Sequence, residues 1–78
     1  MQTLRFYSLE DFSDTLTEQG VATVYGHRQH SAIVYQCLLT DGLIAEISID
    51  KPQNHRVLRE LLEAHDIPLR RAYFVGAA

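Results

Sequence analysis

The element order written into this chain of 78 residues is (β)αβββα(β), an α+β fold in which an antiparallel sheet carries two helices on one face. Three observations predict it. Leu9, Phe12 and Leu16 recur at helical spacing, as do Val57, Leu58, Leu61 and Leu62 further on. Leu43 to Asp50 alternates apolar and polar side chains at the strand period of two. Between that segment and an apolar run before it, Thr40-Asp41-Gly42 supplies a hairpin turn.

Taken in order, Leu4 to Tyr7 predicts a short first strand. Ser8 suits an N-cap, with Asp11 at the N3 position in the manner of a capping box, and the acids that follow favour the helix dipole. A helix over residues 9–19 ends at Gly20, which adopts the left-handed backbone at low cost. Val21 to Tyr25 is β-branched and aromatic and predicts a strand, whereas the polar Gly26 to Ser31 reads as a loop. Ala32 to Leu39 and Leu43 to Asp50 are the next two strands. Lys51-Pro52-Gln53-Asn54 breaks the chain, with Asn54 suited to capping the second helix. On that helix Arg56/Glu60 and Arg59/Glu63 fall at i, i+4 on the wet side. Asp66-Ile67-Pro68 ends it, and Leu69 to Val75 predicts a last strand.

So short a chain cannot build a second core, so one small domain is expected over residues 1–78. With 46% hydrophobic and 22% charged residues there is enough apolar surface to offset the entropy of ordering, which excludes an intrinsically disordered chain. No apolar run approaches the roughly 18 residues of a membrane span, and no long apolar stretch follows the amino terminus, so neither a transmembrane helix nor a signal peptide is expected. Seven Lys and Arg against ten Asp and Glu give a formal charge of -3, which argues against nucleic acid as partner, since such binders draw their affinity from a basic excess. Cys37 is the one cysteine, which precludes an intramolecular disulfide and fits a reducing cytoplasm. It lies within an apolar run and reads as a small buried hydrophobe rather than a nucleophile.

The hairpin register decides which side chains share a face, and two registers are open. With Thr40-Asp41-Gly42 as a three-residue loop and Gly42 left-handed, Leu39 opposes Leu43. Ile33, Tyr35, Cys37 and Leu39 then join Leu43, Ala45, Ile47 and Ile49 under the helices. The other face carries Ala32, Val34, Gln36 and Leu38 beside Ile44, Glu46, Ser48 and Asp50. With a two-residue Asp41-Gly42 turn, the earlier strand swaps faces and shows Ile33, Tyr35, Cys37 and Leu39 instead. In both registers that strand is apolar on both sides, while helices cover one face of a sheet. The remaining face is therefore expected to bind a protein, through Val34, Gln36, Leu38, Ile44 and Glu46.

Chemistry-bearing clusters are sparse. Gly26-His27-Arg28-Gln29-His30 places two imidazoles near a guanidinium, a set able to move protons or support a phosphate, yet two His in a solvated hairpin loop are more often turn residues, and the segment is read so. His27 and His30 have ligand spacing without a third ligand, so no metal or other cofactor is expected. His55, Arg56 and Arg59 begin the second helix and read as a solvated face. No phosphate loop, nucleophile elbow or dinucleotide fingerprint is present, and no catalytic residue is assigned.

The succession helix, three strands, helix resembles the HicA toxins, small mRNA-cleaving proteins with a double-stranded-RNA-binding-like fold. The likeness rests on the His-bearing loop between the first two strands and on Val57-Leu58-Arg59-Glu60-Leu61-Leu62, and it spans residues 8–67. That family carries its His two residues after a Gly, in a Gly-Ser-His-His string, whereas here His27 follows Gly26 directly and His30 lies four on. The resemblance implies RNA binding and cleavage using His27 or His30 with Arg28, Lys51 and Arg56. The ending, with Ile67-Pro68 between helix and strand, is also similar to the XisI-like cyanobacterial proteins. Three functional expectations follow. The first is a non-catalytic cytoplasmic interaction or regulatory module that binds a protein, itself included, through an open sheet face or an edge strand. The second is a HicA-like toxin, and the third an acidic inhibitor from a phage or mobile element.

Overall fold

A computed structural model describes residues 2–71. The strands are β1 (Thr3–Phe6), β2 (Val24–Gln29), β3 (Ala32–Leu38), β4 (Ile44–Ile49) and β5 (Leu69–Arg71), with helices α1 (Leu9–Gln19) and α2 (Pro52–Ala64). All five strands form one sheet in the order β1-β4-β3-β2-β5. The fold class is α+β, as expected, but the sheet is mixed. Its centre, β2-β3-β4, is antiparallel, while β1 lies parallel to β4 and β5 parallel to β2. Chain direction explains the difference. Each helix carries the chain back along the sheet, so the strand after it runs the same way as the strand before it. Only β3, entered and left by hairpins, runs the other way.

Both crossovers, β1-α1-β2 and β4-α2-β5, step three positions in the same sense along the sheet. A common handedness for such connections then puts both helices on one face. Phe12 and Leu16 of α1 and Leu58 and Leu62 of α2 are buried in a single cluster with Val24, Tyr35, Cys37, Ala45, Ile47 and Ile49, the inward positions of the central strands. Phe6 meets Phe12 edge to face, with ring centroids 5.5 Å apart. Val57, expected in the apolar stripe of the second helix, is instead exposed, and Leu58 and Leu62 carry that stripe's burial.

The three-residue loop is the register adopted. Leu38 pairs with Ile44 and Cys37 with Ala45, the Leu39 amide donates to the Leu43 carbonyl at 2.8 Å, and Gly42 sits at φ 87°. Asp41 tightens this turn, its Oδ1 accepting from the Leu43 amide at 3.1 Å. Ser8 caps α1 by accepting from the Asp11 amide. Both helices close alike. The Val21 amide reaches back to the Leu16 carbonyl across left-handed Gly20, and the Ile67 amide to the Leu62 carbonyl across left-handed Asp66.

Two boundaries differ from expectation. Gly26 to Ser31 is not a loop, because β2 runs on to Gln29 and turns through His30 and Ser31, with His30 at φ 57°. Arg28 and Gln29 belong to that strand, paired with Ile33 and Ala32 of β3, although their side chains are exposed. The cap of α2 is Lys51 rather than Asn54, because Pro52 occupies the first helical position, where its missing N–H costs nothing. The Asn54 amide lies inside the first turn and donates to the Lys51 carbonyl. Of the strand expected over 69–75, residues 69–71 are β5 and 72–75 lie outside the described residues.

Candidate functional site

With the register fixed, the face away from the helices can be read in rows. Leu38 and Ile44 sit at one end, beside Thr3. The middle row runs Arg5, Glu46, Gln36, Tyr25, Arg70 across all five strands, and Ser48, Val34 and His27 form the next. The five residues expected to meet a partner do share this face, but they are not equally open.

Leu38 is 63% exposed and Ile44 beside it is half-buried, while Tyr25 on β2 is 47% exposed. Gln36 and Glu46 engage each other: Gln36 Nε2 donates to Glu46 Oε1 at 2.7 Å. Glu46 Oε2 also pairs with Arg5 Nε at 3.4 Å, so a polar ladder crosses β3, β4 and β1. Because Arg5 stays in water, that ion pair is worth at most about 1 kcal/mol, and its main consequence is a fixed layout of donors and acceptors. Val34 departs from the expected open surface. It is 6% exposed, and its cross-strand neighbour His27 is 7% exposed. The accessible apolar ground therefore lies toward Leu38, Ile44 and Tyr25. A shallow depression of about 300 Å³ adjoins it, lined by Arg5, Tyr7, Glu46 and Ser48, with Tyr7 almost wholly exposed.

The clusters singled out for chemistry separate in space. His27 belongs to a buried stretch of strand rather than to a solvated loop, and strand alternation puts it and Arg28 on opposite faces. His30 is exposed in the turn, while Lys51 and Arg56 lie at the start of α2. Among the described residues no three His, Cys, Asp or Glu side chains gather as metal ligands would. Cys37 is buried in the core, and burial pushes its thiol up to about 11.

One arrangement on the helix side is not evident in the sequence. Tyr35 lies across Gly26, its Oη 2.8 Å from His55 Nδ1 of α2 in a hydrogen bond. Burial raises the Tyr35 phenol above its ordinary value, while the Arg59 guanidinium nearby works the other way. Beside this pair is a pocket of about 210 Å³ that brings Arg59 of α2 together with Arg71 of β5, with Arg70 at its edge on a strand position facing the other side of the sheet. A glycine inside a strand marks close approach of another group, but with Gly26 read as the start of a loop that signal was not legible in the sequence. Comparison with protein-family models and with curated proteins returns no match to this chain.

Proposed function

We propose that the chain is a small interaction module of a reducing, cytoplasmic compartment, which binds a protein partner, a second copy of itself included, through the helix-free face. One observation carries the reading: Leu38 stands largely in water next to half-buried Ile44, on the same face as exposed Tyr25. Truncatable apolar anchors ringed by tyrosine and arginine are what protein interfaces favour at their energetic centre. Tyr25, Tyr7 and Arg5 supply that ring, and the Gln36–Glu46–Arg5 ladder supplies hydrogen-bonding groups whose positions are set before a partner arrives. Preorganisation of this kind lowers the entropy lost on association.

The test is solution mass by light scattering across a wide concentration range, together with capture of partners from the native host. Self-association, or a captured protein, that is lost in Leu38→Glu but kept in Val57→Glu on the helix side supports the reading. A monomer whose captured partners are indifferent to Leu38→Glu and Tyr25→Ala overturns it.

A further inference from the structure

We propose that the pocket between β2, β5 and α2 binds the phosphate of a small phosphomonoester. This site is on the helix side of the sheet and stands independently of the docking face. Gly26, Ile33 and Tyr35 contribute to its wall, and Arg59 of α2 and Arg71 of β5 line it from two elements, while Arg70 reaches it from a strand position that faces the other way. No carboxylate lines this pocket, although the chain carries ten Asp and Glu against seven Lys and Arg. Glu63 faces the neighbouring depression, which shares Arg59, and does not close on it to ion-pair distance. Among the described residues the one ion pair is Arg5–Glu46, far along the sheet from here, and residues 72–78 hold no Asp or Glu in sequence.

Two guanidinium groups, those of Arg59 and Arg71, thus share the helix side of this sheet edge in an otherwise acidic protein, without a neutralising partner among the described side chains. Like charges brought together in this way repel, and an anion in their midst turns that repulsion into attraction. A dianionic phosphate has the charge and the three terminal oxygens to engage both guanidinium forks at once. The volume of about 210 Å³ suits a phosphate with a short stem rather than a large ligand. The glycine matters too. A Cβ at Gly26 would lie 2.8 Å from the Tyr35 ring, so any larger residue would move that ring and with it one wall of the pocket.

The experiment is amide NMR of the full chain titrated with inorganic phosphate, with glycerol phosphate, and with a single-stranded oligoribonucleotide. Saturable shifts at Gly26, Ile33, Arg59 and Arg71 with the two small probes are expected. Arg59→Gln and Arg71→Gln should each weaken binding about tenfold, and Arg56→Gln, outside the lining, should change it little. No saturable shift with either small probe would overturn the proposal. So would oligoribonucleotide binding that Arg56→Gln weakens as much as Arg59→Gln does, because that marks a diffuse basic face and not a pocket.

Discussion

Tyr35 occupies the space that a side chain on Gly26 would need. A Cβ built at Gly26 falls 2.8 Å from Tyr35 Cε1 and 2.9 Å from Cδ1, closer than real carbons approach. The two residues are cross-strand partners, and the ring is held from above by His55 of α2. Gly26→Ala is therefore expected to destabilise the fold by about 1–3 kcal/mol, as overpacking does. Urea denaturation reads the cost. In a Tyr35→Leu background, where no ring lies there, the same substitution should cost clearly less, and equal costs in both backgrounds would refute the assignment.

Among the described residues, two other than glycine hold left-handed backbone, His30 in the β2–β3 turn and Asp66 at the close of α2, each at φ 57°. A side chain in that conformation crowds the following carbonyl, a penalty glycine avoids. His30→Gly and Asp66→Gly should each raise stability, by up to about 1 kcal/mol after glycine's own entropy is set against the relief. Gly20→Ala should lower it by about 1 kcal/mol for backbone reasons alone, since nothing lies within 4 Å of the position a Cβ would take. Thermal melts of the three variants check all three signs.

These positions show what the chain discloses before folding. The Ser8 cap, the α1 boundaries, the Gly20 stop and the Gly42 bulge are local, each decided within a few residues, and each is legible in the sequence. The hairpin loop alone left two registers open, and packing of Cys37 and Tyr35 beneath the helices is what distinguishes them. Non-local facts are harder. The parallel edges depend on where the crossovers land, and the continuation of β2 through the exposed Arg28 and Gln29 depends on its pairing with β3, so polarity there mimicked a loop. The arginine pocket was hidden for the same reason: Arg59 and Arg71 lie on different elements, and only the packing of α2 and the pairing of β5 with β2 set them around one pocket.

Alkaline conditions probe the core thiol. Burial pushes Cys37 from an ordinary 9.0 up to about 11, so the folded protein keeps a proton that the unfolded chain gives up. Its contribution to stability is complete below about pH 9 and is lost as pH rises toward 11. Tyr35, also raised by burial, acts with the same sign further up the scale. Stability measured by urea denaturation should fall across this window, with a shallower slope in Cys37→Ala even though that variant starts lower. Iodoacetamide near neutral pH should leave the native thiol unmodified and label it on unfolding.

The contrast between Val34 and Leu38 gives the most direct separation of folding from binding. The two lie four residues apart on β3 and face the same way, yet Val34 is 6% exposed and Leu38 is 63% exposed. A charge at Val34 must be withdrawn from water, so Val34→Glu should destabilise the fold by about 3 kcal/mol. A charge at Leu38 remains in water, and Leu38→Glu should shift stability by no more than about 0.5 kcal/mol. Any association lost in Val34→Glu therefore says little about an interface, because the fold itself is weakened. Loss in Leu38→Glu, with an unchanged urea midpoint, isolates the docking face. Should Leu38→Glu unfold the chain as Val34→Glu does, Leu38 would be a structural residue, and the apolar ground assigned to a partner would shrink to Tyr25 and Ile44.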